Sequence, residues 1–176
     1  LIQFRRQMKR EGYHLFSHKV PQSICEEITE FSHHCPGIPV RSDGVTTSEL
    51  SKLSEINCDL DGFRCDEGLI LQSKAVLDLI ADGSFLSAAR SYLNCEPVFA
   101  NANLWWSFPA NASIGRQSEM AQLMHYDGNW NHFINIFIYL SDVDQQSGPH
   151  TFIRRSHVPN NRPRVLLDRG YQRISD

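Results

Sequence analysis

The sequence lacks several features that would define its class at once. No apolar run approaches the roughly 20 residues that a membrane-spanning helix needs, and the first residues have no apolar core or cleavage pattern of a secretory signal. No pair of cysteines has the C-x-x-C spacing of a zinc knuckle or a redox site. The formal net charge of −3 gives no reason to expect nucleic acid or an anionic membrane as a partner.

Cysteine is present, but in an odd number. The five cysteines are Cys25, Cys35, Cys58, Cys65 and Cys95. A chain of 176 residues can bury a sizeable core without cross-links, so we expect these side chains to be reduced and to pack as small apolar groups. This expectation favours a reducing compartment and therefore a cytoplasmic protein.

The beginning of the chain has the residue spacing of two helices. The first helix is predicted to end at Gly12, which interrupts the apolar pattern. A second helix is indicated by Pro21 near its start, Ser23 as the capping residue and Glu26 three positions later, which together form a capping-box pattern.

Two further helices are predicted over residues 73–94, separated by a break at Gly83. The segment before them, residues 36–66, is rich in Ser, Gly, Asp and Thr and has weak periodicity. It predicts a long surface connection with one short helix over residues 47–53. Connections of this length in compact domains are often functional lids or are simply mobile, and the sequence leaves both alternatives open.

After residue 95 the apolar residues change to a spacing of two, which is typical of strands. The predicted strands are residues 96–108, 122–127, 132–143 and 150–157. Helices that precede strands in this way favour an α+β fold with the helices packed outside a sheet. We therefore predict a single domain over residues 1–176, helical over 1–95 and strand-rich over 96–176.

A histidine and an aspartate stand two positions apart in one of these strands. Residues at this spacing point to the same face of a strand, so His125 and Asp127 are expected to present an imidazole and a carboxylate side by side. These groups are two of the three ligands in the 2-His-1-carboxylate triad, which holds Fe(II) and leaves other coordination positions open.

The residues around this pair resemble the metal motif of the phytanoyl-CoA dioxygenase family of iron- and 2-oxoglutarate-dependent oxygenases. The resemblance consists of a Gln-x-x-His-x-Asp string, a short loop, an apolar strand and a turn. The matching residues are Gln122, His125, Asp127, Ser147, Gly148, Pro149, Ser156 and His157. Arg154 and Arg155 stand where the family commonly has Pro and Gly. A looser similarity covers "EGYHLFSHKVPQSICEEI" and "LNCEPVFANANLWWSFP".

The resemblance implies a fold and a set of roles. The fold would be a double-stranded β-helix, the cupin-like jelly roll, with the N-terminal helices packed outside the sheet. His125 and Asp127 would bind the iron, and a carboxylate at the second position favours hydroxylation over halogenation. Gln122 would contact the 2-oxoglutarate, and Trp106 and Phe137 would line its pocket. For both aromatic residues, packing in the core is an equal alternative.

Two further histidines, His150 and His157, follow the metal strand, and the resemblance gives them a role in shaping the site rather than in binding iron. The family's distal His ligand and its 2-oxoglutarate-binding Arg come farther along the chain than these 176 residues extend. A jelly roll also needs about eight strands, and fewer are found here. We therefore expect the C-terminal strands, and with them the complete active site, to belong to a longer polypeptide.

Three functions follow as hypotheses. The leading one is an Fe(II)- and 2-oxoglutarate-dependent dioxygenase that hydroxylates a small organic substrate with O2, without nucleic acid or a membrane as partner. The alternatives are a non-catalytic jelly-roll relative that binds a ligand or partner, and a plain metal-binding cupin-like module. Trp105, Trp106 and Trp130 suggest an apolar or ring-bearing ligand, but they do not identify it.

Overall fold

The computed structural model describes residues 1–43, 47–108, 117, 122–125, 127, 132–145 and 147–165. Five helices and four strands are found in these ranges. The helices are α1 (Ile2–Glu11), α2 (Gln22–His34), α3 (Glu67–Ile70), α4 (Lys74–Ile80) and α5 (Gly83–Leu93). The strands are β1 (Pro36–Arg41), β2 (Ser51–Lys52), β3 (Leu60–Cys65) and β4 (Trp105–Ser107). Short 3-10 turns occupy Leu53–Glu55 and Pro159–Asn161. None of the described helices is long and apolar enough to cross a membrane.

The strands form one antiparallel sheet in the order β2-β1-β3-β4. The predicted connection over residues 36–66 is therefore wrong, because it contains three of the four strands. The buried positions of β1 are Gly37 and Pro39, and Cys35 directly before the strand is also buried. These residues do alternate, but a cysteine, a glycine and a proline on the buried face do not give the pattern of large hydrophobic residues by which a strand is recognised.

Helices α2 and α4 cover this sheet and enclose the larger core. Phe63 of β3 is fully buried at its centre, and Ile28 of α2 and Val76 of α4 pack in the same cluster. The remaining buried members are Cys35, Cys65, Ile70, Ala75 and Leu104. All five cysteines are free thiols, as the sequence predicted. Burial raises the pKa of Cys65 to about 12, so that this side chain behaves as a small apolar group. Cys58 and Cys95 are exposed, so the predicted packing does not hold for them.

The boundaries of α1, α2, α4 and α5 agree with the predicted ones except at two caps. The short helix predicted over residues 47–53 is wrong, because β2 and a 3-10 turn lie there, and α3 was not predicted. Helix α2 begins after Pro21, so Ser23 lies inside the helix and accepts no capping hydrogen bond. Gly83 is the first residue of α5 rather than a separator, because the Asp82 carboxylate accepts hydrogen bonds from the backbone of Ser84 and Phe85. An aspartate in this position satisfies the backbone N–H groups that have no partner at the start of a helix.

A smaller core lies between α1 and α5. Phe4 and Met8 of α1 pack against Ala88 of α5, and the partly buried Tyr92 and Ile134 join them. Ile134 belongs to the later segment that carries the candidate site. The first helix and the segment that carries the candidate site are therefore in contact through this cluster.

The C-terminal end of α1 also holds the segment predicted as a strand over residues 150–157. Arg154 donates two hydrogen bonds, of 2.9 and 2.7 Å, to the Glu11 carboxylate, and the Arg155 backbone donates one of 2.8 Å to the Glu11 carbonyl. His157 contacts the Lys9 carbonyl at 3.1 Å. These bonds fold residues 154–157 into a turn, so the strand predicted there is wrong.

The described fold is α+β, as the sequence predicted, with one small sheet. Within the described part of residues 122–143, a single bridge at Met124 is the only strand-like pairing, although the apolar alternation predicted two strands. Of the strand predicted over residues 96–108, only Trp105–Ser107 form a strand, and backbone hydrogen bonds at Leu104 and Phe108 extend its pairing with β3 by one residue at each end. Alternation makes a segment suitable for a sheet, but a strand also needs a hydrogen-bonding partner beside it. The jelly roll itself stays a prediction.

Candidate functional site

The side chains of His125 and Asp127 converge. The Nε2 atom of His125 lies 3.2 Å from the Oδ1 atom of Asp127. The imidazole keeps 29% of its surface exposed and the carboxylate 50%, so the pair lies at the surface with its open side accessible. The two groups lie side by side, as their spacing predicted, although the described residues there form no strand beyond the bridge at Met124.

A second contact fixes the orientation of the imidazole. The Nδ1 atom of His125 lies 2.8 Å from the Leu123 carbonyl oxygen. A carbonyl only accepts, so Nδ1 must carry the hydrogen, and in the neutral ring the Nε2 lone pair is then directed away from the backbone. Histidines that bind metals commonly donate their other N–H in this way. Leu123 itself is buried, which anchors the acceptor.

The carboxylate of Asp127 is also held from one side. Asn135 donates a hydrogen bond of 3.4 Å from its amide nitrogen to the Oδ2 atom of Asp127. This leaves Oδ1 beside the imidazole. Two ligands bound at right angles, each about 2.1 Å from a metal, are about 3 Å apart. The observed separation of 3.2 Å therefore fits two neighbouring ligands of one divalent ion, and a neutral imidazole with a carboxylate is a donor pair that Fe(II) accepts.

His150 lies near this pair. Burial lowers the pKa of its imidazole, while Asp127 acts to raise it and His125 to lower it, so its ring is close enough to feel both groups. Its backbone N–H donates a 2.8 Å hydrogen bond to the Tyr139 hydroxyl, and its ring packs against Phe137 with centroids 4.5 Å apart. Nevertheless, no three His, Cys, Asp or Glu side chains in the described ranges are grouped so that they could hold a metal ion.

The two tryptophans of β4 point to opposite sides, as neighbouring strand residues do. The indole N–H of Trp106 donates a 3.0 Å hydrogen bond to the hydroxyl of Ser32, which is fully buried, and the ring meets the His33 ring edge-on. Trp106 therefore packs against α2 and the larger core. Of the two readings that the sequence left open for this residue, core packing matches these contacts.

Trp105, for which the sequence predicted an apolar or ring-bearing ligand but no place in the cosubstrate pocket, lies on the other side of β4. Its ring is 46% exposed and meets Phe137 edge-on at 6.4 Å between centroids. Trp105, Phe137 and His150 thus form a row of rings beside the His125–Asp127 pair. The alternation of Trp105 and Trp106 was visible in the sequence, but it did not indicate which of the two faces was covered by a helix.

The remaining predicted residues lie as follows. Gln122 is exposed, and its backbone N–H donates a 2.8 Å hydrogen bond to the Gln117 carbonyl. His157 contacts the end of α1. Trp130 lies outside the described residues. The structure thus brings His125 and Asp127 together and places Phe137 against the nearby His150, while Trp106 is directed into the core.

Comparisons with known proteins find no relative: the chain matches no protein-family model, and no curated protein or solved structure matches it significantly.

Proposed function

We propose that this chain carries the proximal metal-binding part of an Fe(II)- and 2-oxoglutarate-dependent dioxygenase that hydroxylates a small organic substrate. The observation that supports the proposal is the 3.2 Å approach of His125 Nε2 to Asp127 Oδ1, with Nδ1 of the same ring committed to the Leu123 carbonyl. The proposal includes the finer fold assignment, in which the described elements belong to a jelly roll completed by further strands.

The residues of the chain have separate tasks in this proposal. His125 and Asp127 together would offer one nitrogen and one oxygen donor to a single ion. Asn135 keeps the carboxylate turned toward the imidazole. When bound, iron and 2-oxoglutarate supply the oxidising chemistry, and the protein supplies orientation and shielding. The exposed rings of Trp105 and Phe137 form an apolar wall for the cosubstrate or the substrate, and Gln122 is the polar candidate for a cosubstrate carboxylate.

Metal binding tests the site separately from turnover. We expect Co(II), used as a stable probe for Fe(II), to bind the wild-type chain, and His125→Ala to weaken this binding at least tenfold. The matched control is His34→Ala, because His34 and Glu30 form another His–carboxylate pair at 3.1 Å, on the surface of α2. Equal Co(II) affinity of His125→Ala and the wild type, or equal losses in both variants, would remove the proposed metal role.

Turnover then separates the oxygenase from its alternatives. Release of succinate and CO2 from 2-oxoglutarate in the presence of Fe(II) and ascorbate is expected only for the oxygenase, and it should disappear in His125→Ala. The second candidate is a non-catalytic relative that binds a ring-bearing ligand, and the observation in its favour is the row of Trp105, Phe137 and His150. Metal binding without any succinate in the full-length protein would favour a binding module over the oxygenase.

A further inference from the structure

A second candidate site lies between the first and fifth helices, and none of its lining residues belongs to the metal-ligand pair. This α1–α5 cleft has a volume of about 350 Å³. Its lining residues are Arg5, Lys9, Tyr92, Leu93, Asn94, His132 and His157. The cleft is open to solvent on one side and bounded by side chains from both helices and from the two later segments.

The cleft is lined by positively charged side chains and by no negatively charged ones. Arg5 and Lys9 are four residues apart on α1 and so lie next to each other on one face of the helix. None of the seven lining residues is acidic. Arg5 donates a 3.3 Å hydrogen bond to the side-chain oxygen of Asn94, which is neutral, and no described carboxylate forms an ion pair with either cation. In a chain with a net charge of −3, two adjacent cations without an ion-pair partner among the described residues make this an attractive location for an anion.

The opposite wall of the cleft consists of rings. The Tyr92 and His132 rings lie 5.6 Å apart at an angle of 57°. Tyr92 is partly buried, and this burial raises the pKa of its phenol, so the ring remains uncharged and offers a flat apolar surface. His157 contacts the carbonyl of Lys9 and thereby fixes the backbone that carries one of the two cations.

We propose that the α1–α5 cleft binds a small organic phosphate, with the phosphate group at Arg5 and Lys9 and the organic part against the Tyr92 ring. A phosphate monoester matches two neighbouring cations, because it carries up to two negative charges and three acceptor oxygens. The guanidinium of Arg5 is already held by Asn94, so less side-chain freedom is lost on binding. The volume exceeds that of a phosphate group alone and leaves room for a ring beside Tyr92.

Calorimetric titration of the metal-free chain with AMP, adenosine and inorganic phosphate tests this proposal. AMP should bind at least tenfold more tightly than adenosine, which lacks the phosphate, and more tightly than inorganic phosphate, which lacks the ring. Raising the salt concentration should weaken the binding of AMP but not that of adenosine. Equal affinity for AMP and adenosine would overturn the phosphate assignment, and binding of inorganic phosphate as tight as that of AMP would overturn the role of the ring.

Variants locate the binding within the chain. Arg5→Ala and Lys9→Ala should each lower the AMP affinity about tenfold. Arg6→Ala removes the same charge from the same helix, but Arg6 is exposed and does not line the cleft, so its affinity should equal that of the wild type. An equal loss in all three variants would show general charge attraction instead of a site. Since His125→Ala is expected to leave AMP binding unchanged, failure of this proposal can be told apart from failure of the metal site.

Discussion

Substitution of the two tryptophans of β4 tests the division of the sheet into a core side and a site side. Trp106 donates its indole N–H to the fully buried Ser32 hydroxyl at 3.0 Å, and Ser32 in turn donates to the Thr29 carbonyl at 2.6 Å. Trp106→Phe keeps an aromatic ring but removes this donor. The Ser32 oxygen then loses its donor in a place that water cannot reach, and the smaller ring leaves a gap against α2.

The expected cost follows from these two losses. A neutral hydrogen bond to a buried acceptor contributes about 1 kcal/mol. The smaller ring leaves a void of about 40 Å³, which at about 24 cal/mol per Å³ adds about 1 kcal/mol. The free energy of unfolding should thus fall by about 2 kcal/mol. With a urea m-value of about 2 kcal/mol per molar, the midpoint moves down by about 1 M. Far-UV circular dichroism is the appropriate probe, since tryptophan fluorescence is itself changed by the substitution.

Trp105→Phe is the matched control, because it makes the same chemical change one residue earlier. Trp105 is 46% exposed, and a phenylalanine retains its edge-on contact with Phe137. The loss of stability should stay below about 0.5 kcal/mol, whereas the binding of 2-oxoglutarate or substrate beside Phe137 that the proposed function requires should weaken. Equal shifts of the urea midpoint in the two variants, or a larger shift for Trp105→Phe, would refute the assignment of Trp106 to the core.

Three further perturbations have expected outcomes. Gly37→Ala should lower the free energy of unfolding by about 3 kcal/mol or more, because a Cβ would lie 2.3 Å from the Arg64 carbonyl oxygen across the sheet. Gly83→Ala, with open space around it, should be neutral or stabilising, and equal melting temperatures of the two variants would contradict the β1–β3 packing. Arg155→Gly should stabilise by about 0.5 kcal/mol in urea denaturation, since Arg155 has a positive φ of 67° that glycine adopts without strain; a loss of stability would contradict this turn. The Arg154 guanidinium, followed by Arg10, lowers the pKa of Glu11 below its ordinary value of 4.5, so the ion pair stabilises the fold fully above that pH and loses this effect as the pH falls below it. The difference in stability between wild type and Glu11→Gln should therefore shrink from pH 7 to pH 3, and a constant difference would rule out the ion pair as its cause.

The helices could be predicted from the sequence because their signals are local. The apolar residues of α1, α2, α4 and α5 repeat at the helical period, and Gly12 ends α1 with a positive φ of 85°, as a glycine in this position often does. The caps were less certain, because Ser23 and Pro21 both suit the start of a helix. Only the packing of the completed helix decides between them.

The strands of residues 36–65 could not be predicted, since their signal is not local. The buried residues of β1 are small or ring-closed, and the fully buried Phe63 of β3 stands in a polar sequence with Asp61 and Arg64 close by. Asp61 is buried because it accepts a 2.7 Å hydrogen bond from the Ser42 hydroxyl. Such a pairing between distant residues satisfies a buried polar group, but nothing in the adjacent sequence indicates it.

The candidate site shows the same division between local and distant causes. The side-by-side placement of His125 and Asp127 was predicted from their spacing, but the described residues there form no strand beyond the bridge at Met124. The contacts of the two side chains with the Leu123 carbonyl and with Asn135 hold them instead. The choice between Trp105 and Trp106 depends on which face of β4 is covered by α2, and this is decided by packing. The position of His150 depends on Tyr139 and Phe137, which hold it through one hydrogen bond and one ring contact.

The geometry of the His125–Asp127 pair therefore depends on the helical half of the chain. Ile134 packs into the cluster between α1 and α5, and its neighbour Asn135 holds the Asp127 carboxylate. On the other side of the site, the turn that begins four residues after His150 is tied to the end of α1 through Glu11. The segment that carries Asn135, Phe137 and His150 is thus attached to α1 at both of its ends. Neither attachment touches a proposed ligand. A substitution of Glu11 that leaves the fold intact should therefore change the NMR chemical shifts of His150 and Phe137 more than those of His125.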